Sequence, residues 1–126
     1  MHVDQTLTLT GDVRRDLIGH LKRVQRVLDT VGIGLTGTVL ASQSSNPALL
    51  AVFRERTVRP SRQRVRRILQ EGIRQGAIRT GVDVNAAVHL LVGALYAAYL
   101  AGEASSFDAE AVVDTLLAGL GTDVVG

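Results

Sequence analysis

The chain has 126 residues, of which 46% are hydrophobic and 21% charged, and this balance is typical of a globular domain rather than of a disordered chain. It contains no cysteine, which excludes disulfides, thiolate metal sites and cysteine nucleophiles. The net charge of +2 is too small to indicate nucleic-acid binding by itself. No charged-then-apolar signal sequence opens the chain, so a cytoplasmic protein is expected.

The N-terminal pattern predicts a short leader followed by an amphipathic helix. Residues 1–10 show no helical signal, and we interpret them as a loose leader or expression remnant before a helical domain of residues 11–126. Asp12 suits the N-cap of a helix that begins at Val13 and ends near Thr30. The apolar residues at helical spacing are Val13, Leu17, Leu21, Val24 and Leu28.

Residues 31–44 fit two interpretations. The alternation of apolar residues over 31–35 suits a strand, whereas the spacing of Leu35, Val39 and Leu40 suits a helix. Three glycines in the segment oppose a helix by roughly 1 kcal/mol each relative to Ala. The pattern alone leaves both open.

A glycine motif over Gly32–Gly37 matches G-x-G-x-x-G, the phosphate-binding signature of dinucleotide folds. The motif is informative only when it follows a strand, and here it follows a helical pattern. A nucleotide-using enzyme is therefore the least favoured function. The serines lack a nucleophile-elbow motif, and the three histidines lack metal-ligand spacing. Nothing in the sequence argues for an enzyme, a metal or a cofactor.

The middle of the chain predicts one long helix. Asn46 suits the N-cap and Pro47 the first helical position, and a helical pattern runs from there to about Gln75. Pro60 should kink or break this helix, because proline lacks an N–H and its ring clashes one turn back. Gly76 is a plausible terminator.

Half of the 14 basic residues are arginines within residues 54–67. Arg59, Arg62 and Arg66 share one helix face, where they could neutralise DNA phosphates. The favoured alternative is a solvated face with a Glu55–Arg59 ion pair, because no aromatic residues interleave to stack bases.

Two further helices are predicted after caps at Asp83 and Asp108. The first, over residues 84–102, is apolar on nearly every side and is expected to be deeply buried. It is about long enough to cross a membrane, but it lacks a basic flank, so a soluble bundle is favoured. The sequence as a whole predicts an all-α bundle of about five helices.

Small residues line one face of each of these two helices. Such lines let a second helix approach closely, either within the chain or at a subunit interface that hides excess apolar surface. The residues expected at a dimer interface are Leu90, Gly93, Ala97, Ala101, Ala111, Thr115, Leu116 and Gly119.

A polar stripe lies elsewhere on the helix over 84–102 and contains Asn85, His89, Tyr96 and Tyr99. His89 and Tyr96 suit polar anchors in an apolar ligand pocket, and satisfied core residues are the alternative. The residues predicted to contact a ligand are Phe53, His89, Val92, Tyr96 and Tyr99.

Six segments, by their order and spacing, resemble the C-terminal domain of TetR-family transcription regulators: Gly11–Leu17, Asn46–Arg56, Arg59–Arg62, Glu71–Arg79, Asp83–Val84 and Leu90–Tyr96. The second is the most specific, because a small polar residue and Pro open a helix that ends in Phe-Arg-Glu-Arg. The resemblance extends over roughly residues 11–121.

This resemblance implies a homodimer in which the last two helices of each subunit form a four-helix bundle. It also implies a pocket for a small lipophilic effector, whose binding weakens operator binding by a repressor. The family's helix-turn-helix precedes this domain, and nothing in residues 1–12 matches it, so operator DNA is a partner only through that absent part. The alternative function is a free-standing helical dimer that acts as a scaffold or binds a protein partner, and that needs no internal apolar cavity.

Overall fold

The structure is a computed structural model that describes residues 8–120. Within that range the α-helices are α1 (Val13–Val31), α2 (Ile33–Ala41), α3 (Pro47–Phe53), α4 (Arg59–Gln75), α5 (Val84–Leu100) and α6 (Ala109–Leu120). A π-helical turn, Arg54–Val58, joins α3 and α4 into one continuous rod, so the described residues form five helical rods. The predicted all-α fold of about five helices is confirmed.

Each predicted capping side chain begins its helix. The aspartates Asp12, Asp83 and Asp108 and the amide of Asn46 accept hydrogen bonds of 3.0–3.2 Å from the backbone N–H three residues later. These bonds satisfy N–H groups that have no partner inside the helix. At the C-terminal end of α4, Gly76 adopts the left-handed conformation with φ of 82°, as expected for a glycine that terminates a helix.

The strand interpretation of residues 31–44 is wrong. Helix α1 continues to Val31, Gly32 turns the chain with φ of 86°, and α2 begins at the next residue. A helix rather than a strand therefore precedes the glycine motif over Gly32–Gly37, and the structural context of a dinucleotide site is missing.

Pro60 widens the long helix without breaking it. The amide of Arg59 bonds to the carbonyl of Arg54, five residues earlier, instead of four as in an α-helix. This extra residue lies one turn before Pro60, where the proline ring would otherwise clash with the backbone. The chain then continues as α4 to Gln75.

The hydrophobic core is shared by α1, α4, α5 and α6. Its fully buried side chains include Leu17, Leu21, Val65, Ile68, Leu69, Ile78, Val88, Leu91 and Val113. An ion pair of 2.7 Å between Arg14 Nε and Asp114 Oδ1 joins α1 to α6 at the surface. The segments α2 and α3 contact each other beside this core.

Helix α4 approaches α1 closely at Gly72. A Cβ atom added there would lie 2.8 Å from both Val13 Cγ2 and Ile78 Cδ1. The absence of a side chain thus sets the distance between the two helices. Leu9, which falls in the predicted leader, also packs against the core; residues 1–7 of that leader lie outside the described range.

The expectation that α5 is deeply buried is wrong for a single chain. Only Ala87, Val88, Leu91 and Leu95 are buried, because α1, α4 and α6 cover one side of the helix. Leu90 and Leu100 remain 63% and 87% exposed. In the part of the chain that is described, no helix combines the length and apolar character needed to span a bilayer.

Candidate functional site

The uncovered side of α5 is an apolar surface. All eight residues predicted for a dimer interface reach the protein surface, and Leu116 alone among them is half-buried. Leu100, the most exposed large hydrophobic residue within residues 8–120, was not among the predicted residues. Its position seven residues after Gly93 places it on the same helix face, so helical spacing is the signal that identifies it.

An open apolar groove of about 600 Å³ runs between α5 and α6. Its walls are Leu90, Leu91 and Ala94 on α5 and Ala111, Val112, Thr115, Leu116, Gly119 and Leu120 on α6. Five of the predicted interface residues line it, while Gly93 and Ala97 on α5 and Ala101 at its C-cap lie outside the lining. The surface of α5 and this groove together form what we call the outer face.

The polar stripe of α5 is engaged by three other helices. Asn85 Oδ1 accepts a hydrogen bond of 2.9 Å from Arg66 Nε, and His89 Nδ1 accepts one from Arg62 Nη2, both on α4. Tyr96 bonds to Thr36 on α2. Near the end of α5, the Tyr99 hydroxyl donates to the Asp29 carboxylate and lies 3.3 Å from the Gln25 carbonyl oxygen, both on α1. The stripe therefore ties α5 to α4, α2 and α1 in turn.

Both tyrosines of the stripe are neutral hydrogen-bonding groups. Burial and, after it, the bonded Asp29 carboxylate together raise the pKa of Tyr99 to about 12. Burial also raises the pKa of Tyr96, against the opposing effect of the bond to Thr36. At neutral pH the two phenols thus offer O–H groups rather than charge.

Comparison with protein-family models matches residues 7–120 to the family described as tetracyclin repressor-like, C-terminal domain. The matched range covers most of the chain. The chain belongs to the TetR family. A search of curated proteins and a search of solved structures both found no match. The predicted resemblance to the C-terminal domain of TetR regulators is confirmed, and the all-α fold agrees with it.

Four of the five ligand contacts predicted for this TetR-family domain lie on α5. His89, Tyr96 and Tyr99 belong to the polar stripe, and Val92 is half-buried against the core. Phe53 lies half-buried at the end of α3, on a different rod. A ligand at the stripe would exchange the bonds of α5 to α1, α2 and α4 for its own.

A buried histidine was missed by the sequence analysis. His20 on α1 is 1% exposed, and its Nε2 lies 3.0 Å from the Ser61 Oγ of α4. Within residues 8–120, its Nδ1 has no hydrogen-bond partner. Burial, assisted by Arg23 and Arg64, lowers the pKa of His20 to about 4. His20 lies between Leu17 and Leu21 on the apolar stripe of α1, and this position was the sequence signal for its burial.

The low pKa of His20 predicts that the domain loses stability on acidification. The unfolded chain takes up this proton near pH 6.5, whereas the folded chain resists it until about pH 4. Between these values the unfolded state binds more protons, so the free energy of unfolding falls as the pH falls. The loss reaches about 3 kcal/mol at pH 4. Urea unfolding at pH 7.5 and pH 4.5 measures it.

The control for this prediction is His20→Gln, which keeps a polar group beside Ser61 and removes the titration. The variant should show a smaller fall in unfolding free energy between the two pH values, whatever its absolute stability. An equal fall in both proteins would show that other groups cause the pH dependence.

Proposed function

We propose that this domain senses a small lipophilic effector and holds two subunits together in a TetR-type regulator, with α5 serving both tasks. The observation that carries the proposal is the outer face, where Leu90 and Leu100 stay largely exposed beside the apolar groove. Contiguous apolar surface of this kind marks an interaction site on a soluble protein. The role is regulatory rather than enzymatic, and the domain contacts operator DNA only through a helix-turn-helix that precedes it in the regulator.

The first task is dimerisation through the outer face. Two copies of α5 and α6, related by a two-fold axis, pack into a four-helix bundle. The small residues Gly93, Ala97 and Ala101 let the two copies of α5 approach closely, and Leu100 packs beside them. Leu90, Ala111, Thr115, Leu116 and Gly119 complete the interface as walls of the groove in each copy, which receives apolar side chains of the other copy.

The second task is effector binding at the polar stripe of α5, which lies beside the outer face on the helix. His89, Tyr96 and Tyr99 supply polar anchors, and Val92 and Phe53 supply apolar walls, which is the usual composition of a small-molecule pocket. An effector that replaces the bonds of Tyr99 to α1 changes the position of α1 relative to α5. Because the DNA-reading part precedes α1, this change lowers operator affinity, as in a repressor.

The substitution Gly93→Gln tests the dimer. A Cβ at Gly93 meets no atom within 4 Å in the single chain, so the side chain fits the subunit and even favours the helix. At a close helix–helix contact the same side chain separates the two subunits. We expect the variant to be monomeric in size-exclusion chromatography with light scattering, at concentrations where the parent chain is dimeric.

The matched control is Gly19→Gln on α1. Gly19 is also an exposed helical glycine with no atom within 4 Å of its Cβ position, but it lies away from the outer face. This variant should remain dimeric. If Gly93→Gln leaves the mass unchanged, or if both variants become monomeric, the proposed interface is wrong.

The substitution Val92→Trp tests the effector site with the apolar dye 1-anilinonaphthalene-8-sulfonate. An indole at Val92 would occupy the proposed site beside the polar stripe, so we expect most of the dye's fluorescence enhancement to disappear. The control is Gln70→Trp on the exposed side of α4, which adds the same group and should leave dye binding unchanged.

Two results of this titration would contradict the effector site. One is a parent dimer that binds no dye. The other is dye binding that survives Val92→Trp and increases in monomeric Gly93→Gln, which would assign the dye to the groove on the outer face. Either result favours the alternative function, a helical dimeric scaffold without a ligand.

A further inference from the structure

A second groove, separate from the outer face, is lined almost entirely by arginines. It has a volume of about 210 Å³, and its walls are Arg54, Val58, Arg59, Arg62 and Arg66. Arg54, Val58, Arg62 and Arg66 recur every four positions, and Arg59 follows Val58 directly, so together they line one face of the continuous rod formed by the π-helical turn and α4. We call this surface the arginine groove.

The arginine groove carries uncompensated positive charge. Residues 54–67 contain seven arginines and one acidic residue, Glu55. Glu55 forms an ion pair with Arg59. Arg54, Arg62 and Arg66 take part in none of the ion pairs found within residues 8–120. Three guanidinium groups therefore converge without carboxylate partners.

Two of these guanidinium groups are oriented by neutral acceptors on α5. Asn85 Oδ1 holds Arg66 and His89 Nδ1 holds Arg62. Because a guanidinium only donates, Nδ1 accepts and the proton of the neutral His89 ring is on Nε2. The acceptors fix the direction of both side chains and leave their positive charge in place, along with further N–H donors.

We propose that the arginine groove binds the phosphate group of a small molecule, with Arg62 and Arg66 as the principal ligands and Arg54 as a third. Three positive charges match a phosphomonoester or diphosphate better than a single carboxylate. The groove is smaller than the roughly 300–1,000 Å³ of pockets that enclose a drug-sized molecule, so it fits a head group alone. The phosphate ligands of this site are all on the rod of the π-helical turn and α4, and the site shares only the orienting acceptors Asn85 and His89 with the polar stripe of α5.

The geometry favours a small ligand over duplex DNA. Arg62 and Arg66 are half-buried and directed onto α5, whereas Arg56 and Arg67, which are exposed on the same rod, lie outside the groove lining. Binding to duplex DNA draws on many separated phosphates and on freely exposed cations. A single groove with oriented donors suits one phosphate group.

Isothermal titration calorimetry with pyrophosphate at constant ionic strength tests this site on the whole chain. We expect saturable binding that weakens at least about tenfold in Arg62→Gln/Arg66→Gln, because two charge-assisted contacts are lost. The control, Arg56→Gln/Arg67→Gln, removes the same charge from the same rod and should change the affinity by less than about twofold, as for a small nonspecific contribution. Circular dichroism verifies that both variants remain helical.

A second variant, Asn85→Asp, neutralises Arg66 with almost no change in volume. This variant should also bind pyrophosphate more weakly than the parent chain does. In the parent chain, inorganic phosphate should bind to the same groove and compete with pyrophosphate. Equal weakening in the two double arginine variants, no saturable binding by the parent chain, or tighter binding of a DNA duplex than of pyrophosphate would overturn the proposal.

Discussion

The central constraint on this structure is that a single chain buries only one side of α5. The inner side of the helix places Val88, Leu91 and Leu95 in or beside the core, where α1, α4 and α6 surround them. No remaining described helix covers Leu90 and Leu100 on the outer side. Full burial of one leucine contributes about 1.5–3 kcal/mol, so covering this face has a strong driving force. A second copy of the chain would cover this face with the same face of its own, through two-fold symmetry.

The same helix links the two proposed tasks. Its polar stripe is bonded to α1, α2 and α4, so a change at the stripe alters the position of α5 relative to the other helices. Its outer face would at the same time be held against a second subunit. An effector that prefers one arrangement of α1 and α5 would therefore shift the equilibrium between two states of the proposed dimer, as an allosteric ligand must.

Helix starts were predictable from the sequence because capping is local. Asp12, Asn46, Asp83 and Asp108 each bond to a backbone N–H three residues away, and no distant part of the chain is needed to recognise them. The family was predictable because the order and spacing of short segments along the chain resembled it, and residues 7–120 match its model.

Features that depend on tertiary contacts were less predictable. The local sequence of residues 31–44 suits a strand and a helix about equally. The turn at Gly32 and the packing of α2 beside α1 stabilise the helix. Hydropathy showed that α5 is apolar, but hydropathy does not say whether its own chain or another covers it. His20 was judged by metal-ligand spacing, although its place on an apolar stripe predicts burial.

The mass of the parent chain in solution tests the account most directly. Static light scattering across a dilution series should give a stable mass of about 27 kDa, twice the 13.4 kDa of one chain. This result would mean that the outer face of α5 and α6 is covered by a second subunit. A mass of one chain at every concentration would contradict the account, because Leu90 and Leu100 would then remain exposed in the native protein.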